Sequence, residues 1–283
     1  MKYGAAIFPT EYAIDPATLG RALEDRGFES FWVAEHTHIP CSRKSPWPGG
    51  ADLPRMYFDL YSPFLALVAA ATATRNLKVA TGVCLVPQHD PIVLAKDVAT
   101  IDRLSKGRFL FGVGGGWNQE EMQNHGSVPF RQRWGLMRER IEAMKVVWTQ
   151  ERAEYHGQWV DFEPLFSWPK PEQRPHPPIH VAGSAPHALA RAVRYGDGWL
   201  PILGRGNADL AADLRQLARL AAEAGRSVDG FEVSIYACPT DPEKLRWLRD
   251  LRVTRAVFLL PAEPAESVLP LLDRYAELAR SVG

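Results

Sequence analysis

Hydrophobic positions along the chain follow two alternating periods. Short runs of β-branched, aromatic and small apolar residues, such as "RFLFGV" from Arg108 and "PIHVA" from Pro178, are separated by longer stretches with helical spacing. The runs predict strands at residues 5–8, 30–34, 78–83, 108–113, 178–182, 198–201, 232–236 and 255–260. The amphipathic stretches predict helices at residues 15–26, 63–75, 91–104, 131–149, 186–195, 208–224, 242–251 and 265–280. Gly27 supplies the left-handed stop of the first helix. Pro91 opens the third helix, and Gly107 closes it off.

Eight strand–helix units with near-continuously apolar strands predict a closed (β/α)8 TIM barrel. The rival, a doubly wound open sheet, would carry a Gly-rich turn after its first strand, and none is there. Two connections exceed ordinary loop length: residues 36–60, with "PWPGGADLP", and residues 155–177, ending in the Pro-rich run "WPKPEQRPHPP". Both are expected to cover the C-terminal face, where barrels place their chemistry. No linker, internal repeat or low-complexity tract divides the sequence. It reads as one domain, residues 1–283.

Composition narrows the function classes. A hydrophobic content of 46% provides a large core. Thirty-three basic residues balance thirty-three acidic ones, so no basic field favours nucleic acid or an anionic membrane. The apolar run near the start is too short for a signal peptide, and nothing approaches a membrane span. Cys41, Cys84 and Cys238 are odd in number and widely spaced, which suits reduced thiols in a cytoplasmic protein.

Four stretches carry candidate chemistry. "FWVAEHTH" ends the second strand with Glu35, His36 and His38. An acid beside a histidine at a strand end can manage a proton near neutral pH. Alternatively the histidines cap the strand, or the H-x-H pair holds a metal as in barrel hydrolases. That family places its pair after the first strand and an Asp after the eighth, which here ends "AVFLLPAEP". "VATGVCLVPQHDP" offers small residues at Thr81 and Gly82 for close approach to a ligand, or for plain packing. "FGVGGGWNQEE" brings Gly112, Gly114, Gly115 and Gly116 before Trp117 and Asn118. A dinucleotide fingerprint would need a glycine where Trp117 stands and would follow the first strand. A cofactor turn or a tight rim connection remains. "IHVAGSAPHALARAVRYGDGWLP" places Gly183, Ser184 and Ala185 at a helix start, where free N–H groups and a hydroxyl suit a phosphate. Ser184 as an ordinary N-cap is the alternative.

Together, "PIVLAKDVATIDRLSKGRFLFGVGGGWNQEE" and "PPIHVAGSAP…RAVRYGDGWLP" resemble the bacterial luciferase-like flavin oxidoreductases, over nearly the whole chain. The openings "MKYGAAIFPTEY" and "GFESFWVAEHTHIP" are similar too. Within that family the sequence most resembles the deazaflavin (coenzyme F-420) dependent branch. The resemblance implies a cofactor across the C-terminal face and catalytic His36 near its reactive carbon, with Glu35 beside it. It implies a non-prolyl cis peptide at Gly82-Val83 behind the ring. Gly115, Gly116, Gly183 and Ser184 then hold the phosphate end. Some members carry a second acid after strand four as proton donor; here Trp117 and Asn118 intervene and the first acid is Glu120. The expected activity is hydride transfer between F-420 and a small organic substrate, with no metal. An FMN-dependent monooxygenase, a metal-dependent hydrolase using His36 and His38, and a non-catalytic flavin-binding subunit are the alternatives. Trp47, Tyr57, Phe58, Tyr61, Phe166 and Trp168 in the long connections suggest an apolar, aromatic substrate pocket. Homodimers are frequent in the resembled family.

Overall fold

The computed structural model describes residues 1–50, 52–205 and 209–283. Its strands are β1 (Lys2–Ile7), β2 (Ser30–Val33), β3 (Lys78–Thr81), β4 (Cys84–Leu85), β5 (Phe109–Gly114), β6 (Ala153–His156), β7 (Asp161–Leu165), β8 (Ile179–Ala182), β9 (Gly198–Leu200), β10 (Glu232–Ile235) and β11 (Arg255–Leu259). β1 pairs in parallel with both β2 and β11, which closes the ring. The circuit continues through β3, β5, β8, β9 and β10, parallel throughout. This is the (β/α)8 barrel that the periodicity predicts.

The helices are α1 (Pro16–Asp25), α2 (Pro63–Ala73), α3 (Pro91–Leu104), α4 (Gln119–Asn124), α5 (Arg133–Thr149), α6 (His187–Tyr195), α7 (Leu210–Glu223), α8 (Pro242–Asp250) and α9 (Ala265–Val282). Asp15, Asp90, Asp209 and Asp241 accept backbone N–H bonds at the starts of α1, α3, α7 and α8, satisfying otherwise orphaned donors. The expected start of the seventh helix at Ala208 lies outside the described residues. Among the described residues no helix is long and apolar enough to cross a membrane.

Three features differ from expectation. The third strand ends at Thr81 rather than at residue 83 and resumes as β4, across the cis Gly82-Val83 bond that the resemblance implies. α4 and the antiparallel hairpin β6–β7 were not foreseen. The segment after that hairpin runs under the barrel, not over its mouth. Gln173 bonds Asp102 near the end of α3 and the carbonyl of Phe109 at the start of β5. Lys170 reaches Val147 and Gln150 at the end of α5. Phe166 and Trp168 are exposed there, so neither can line a pocket at the C-terminal face.

Side chains alternate along each strand, and the two resulting cores fix the site. Phe31 and Val33 of β2 face the helices, within the large outer core. Trp32 faces the axis with Ala6, Ala80, Leu110, Leu200, Tyr236 and Val257. Its ring fills the barrel centre because β5 gives way: a Cβ on Gly112 would stand 1.9 Å from the Thr81 carbonyl oxygen and 3.4 Å from that ring. Below, fully buried Arg255 bonds Glu29 through Nε (2.7 Å) and Nη2 (2.8 Å), and Glu232 and Ser234 through Nη1. The base of the barrel is thus sealed by ions, and the open end is the upper one.

Candidate active site

Continuing the alternation of β2 past Val33 turns His36 toward the axis and Glu35 outward. His36 is 9% exposed. Its Nδ1 lies 2.7 Å from Oε2 of Glu121, which is fully buried, and Trp117 Nε1–H points to its Nε2 at 3.3 Å. The neutral tautomer with its proton on Nδ1 satisfies both neighbours. Glu121 is fixed in turn: its other oxygen accepts the Thr37 N–H at 3.1 Å, and its own N–H donates to Asn118 Oδ1. Asn118, at the end of the candidate cofactor turn, spends its carboxamide oxygen on capping α4. That short helix delivers Glu121 to His36.

Glu35 is corrected as a partner of His36. Its Oε2 accepts the Leu85 N–H at 2.5 Å, and its Oε1 sits 2.8 Å from His89 Nε2, in a buried pocket between β2 and β4. Burial alone would raise its pKa, but the His89 hydrogen bond and charge and the Leu85 N–H hold it below the usual value. Cys84 completes this cluster, its thiol pushed well up by burial and by Glu35. Glu120, the first acid after strand four, accepts from Ser45 Oγ at 2.5 Å and ties the first long loop to α4. The acid that sequence reasoning missed is therefore Glu121. Its signal was present as Asn118-x-x-Glu121, the spacing of a helix cap.

The H-x-H pair does not converge. Both ring nitrogens of His36 face Glu121 and Trp117, whereas His38 faces Thr37 and Asn124. Nothing in this geometry favours a shared metal between them.

The mouth beside His36 is aromatic. Tyr57, from the first long loop, has its ring centroid 5.4 Å from that of His36; Phe8 and Trp47 pack against Tyr57. Phe58 and Tyr61 remain exposed. Across the mouth a cavity of about 210 Å³ is lined by Gly82, Val83, Gly183, Ser184, Arg205 and Tyr236, among others. Among the described residues the Tyr236 hydroxyl is buried with no partner, as is Oε1 of Gln88. Thr81, expected to contact a ligand, is fully buried and gives its hydroxyl to the Gly112 carbonyl at 2.7 Å.

The two glycine turns stand at the ends of adjacent strands β5 and β8. Gly116 (φ +71°) and Gly183 (φ +122°) take conformations that disfavour side chains, and the nearest atoms to a Cβ there are 3.7 Å and 3.4 Å away. Over Gly115 the space is already taken: the Trp134 ring comes to 2.6 Å of a Cβ position. Ser184 does not cap a helix. α6 begins at His187, after the cis Ala185-Pro186 bond, and the Ser184 hydroxyl donates to the Arg205 carbonyl. Arg205, unread in the sequence, lines the same cavity.

A flat, partly polar group with an anionic end fits these residues. The open cradles at Gly116 and Gly183 admit backbone approach, and the unpartnered Tyr236 and Gln88 atoms await polar neighbours.

Known proteins share this architecture. An uncharacterised protein of Mycobacterium tuberculosis is 39% identical over 98% of both chains. The F-420-dependent glucose-6-phosphate dehydrogenase of Nocardia farcinica is 32% identical, covering 86% of this chain and 69% of its own. An FMNH2-dependent dimethylsulfone monooxygenase of Pseudomonas putida is 33% identical over 62% of this chain and 48% of its own. The crystal structure of the monooxygenase RslO1 of Streptomyces bottropensis superposes with a TM-score of 0.79 at 21% identity, covering 99% of each chain. The luciferase-like monooxygenase profile matches residues 9–243, and the chain belongs to that family of F-420- or flavin-dependent oxidoreductases and monooxygenases.

Proposed function

We propose that this chain, acting as a single barrel domain, transfers a hydride between the deazaflavin coenzyme F-420 and a small organic substrate. The observation that carries the reading is His36, oriented by a buried carboxylate and set beside an aromatic mouth lined by buried polar atoms of Tyr236 and Gln88. F-420 is preferred to FMN because the similarity to the Nocardia dehydrogenase extends over more of the chain than that to the Pseudomonas monooxygenase. A cytoplasmic setting fits the three unpaired cysteines.

When bound, the coenzyme supplies two-electron chemistry at a ring carbon; the protein supplies position, charge and dryness. Gly82, Val83 and Tyr236 would support the ring, and Trp117 would wall its edge. Gly116, Gly183, Ser184, Ala185 and Arg205 would surround the phosphate end, with Gly115 seating Trp134 behind them. Where a substrate hydroxyl displaces the long Trp117 N–H bond at 3.3 Å, His36 Nε2 would take its proton, and would return it in the reverse direction. Glu121 holds the imidazole by Nδ1 and fixes its orientation toward the mouth. Phe8, Tyr57 and Trp47 exclude water and favour an apolar or aromatic substrate. The FMN-dependent monooxygenase is the second reading, favoured by the Pseudomonas relative.

Fluorescence titration of the purified protein with F-420 and with FMN separates the two. The proposal expects tighter binding of F-420; tighter binding of FMN would transfer the case to the monooxygenase.

A further inference from the structure

On the rim between β5 and β8, two guanidinium groups meet over one indole with no carboxylate between them. Trp134, near the start of α5, lies over Gly115. Arg191 of α6 stacks 3.7 Å from the Trp134 ring centroid, and Arg133 stands 4.7 Å from it and 3.8 Å from that of Phe130. All three side chains are half-buried. Among the described residues Arg133 donates one bond, to the Phe130 carbonyl at 3.0 Å, and its Nε is buried without a partner. Among the described residues neither arginine makes an ion pair. Burial pushes both guanidinium groups below their usual proton affinity, and for Arg133 the positive charge of Arg191 adds to it.

Two like charges drawn partly out of water with no counter-ion cost free energy that an anion would recover. Stacking on an indole leaves the N–H edge of a guanidinium free to grip a carboxylate. We propose that Arg133 and Arg191, braced by Trp134, form a subsite for the carboxylate-bearing tail of the deazaflavin, beyond its phosphate. The proposal rests on the F-420 reading. Its placement follows from the fold: Gly116 and Gly183 end neighbouring strands, α5 and α6 begin just outside them, and a tail leaving between the turns crosses Trp134. FMN ends at its phosphate and has nothing to place there.

The test compares three ligands by fluorescence titration at low salt and at about 0.5 M salt: F-420 with several glutamates, F-420 with none, and FMN. The parent protein is expected to bind the long-tailed form about five- to twentyfold more tightly than the tail-less one at low salt, with the gap closing at high salt. Arg191→Gln should abolish that gap, with tail-less binding unchanged within twofold and an unaltered circular dichroism spectrum. Equal binding of both forms by the parent overturns the subsite, as does an equal loss for both forms in Arg191→Gln. Because the first comparison uses only the parent protein, misfolding of the variant cannot rescue the proposal. Failure of both deazaflavins to bind overturns the coenzyme reading, and the subsite with it.

Discussion

His36 has two neighbours that leave it one neutral tautomer, and this is where the chemistry concentrates. A histidine whose Nδ1–H is held by a buried carboxylate presents its other nitrogen as a base. His36→Ala should leave coenzyme affinity within a few-fold while cutting saturated turnover by roughly 10²–10⁴. Glu121→Gln keeps the shape but replaces the carboxylate that fixes the imidazole through Nδ1; turnover should fall about ten- to a hundredfold. Unchanged turnover in either variant would remove that residue from the mechanism. Glu35, one position earlier, behaves differently. Glu35→Ala strands His89 and the Leu85 N–H in a buried pocket, at a cost of roughly 3–5 kcal/mol. Chemical denaturation should register that loss, while turnover per folded molecule stays within a few-fold. The sequence made Glu35 look like the partner of His36, because adjacency along a strand hides that neighbours point to opposite faces.

At the scale of elements, strands with continuous apolar runs and helices with clear caps were legible to within two or three residues. The exceptions have physical reasons. The hairpin β6–β7 is half-exposed and studded with acids, Glu154, Asp161 and Glu163, so it lacks the apolar run of a barrel strand. α4 is "QEEMQN", whose only apolar residue is Met122, so no hydrophobic period marks it. The Pro-rich connection looked like a lid because length alone does not say which end of a barrel a segment crosses. α4 is nonetheless what positions Glu121. Asn118→Ala should therefore cost about 1 kcal/mol of stability by removing the cap, and should lower turnover as well by loosening the His36 partner. A stability loss with full turnover would show that α4 holds its place without the cap.

For the whole molecule, the ionic seal at the base makes a prediction about acid. Arg255 and its hydrogen bonds overcome the burial that would raise Glu29 and Glu232, and both carboxyls are lowered to about 2. Burial, with Arg255 nearby, lowers His180 to about 4. All three are depressed on folding, so each contributes stability that is fully present above its unfolded value and lost as pH falls. His180 should act first, between about pH 6.5 and 4, and the carboxylates between about pH 4.5 and 2. The melting temperature should accordingly decline in two stages below about pH 6.5. His180→Phe should shrink the first stage, to which His125 and His176, also lowered by burial, contribute the rest; an unchanged first stage would assign it to those two alone. This network joins residues 226 positions apart in sequence, so no local pattern announced it.

The central claim concerns where the coenzyme lies, and a crystal structure of the protein with F-420 tests it most directly. The deazaflavin should rest over Gly82-Val83 and Tyr236, its phosphate end between the turns at Gly116 and Gly183, with its reactive carbon within about 4 Å of His36 Nε2 or of a substrate atom between them. A coenzyme bound outside the mouth, or one whose reactive carbon faces away from His36, would contradict the account.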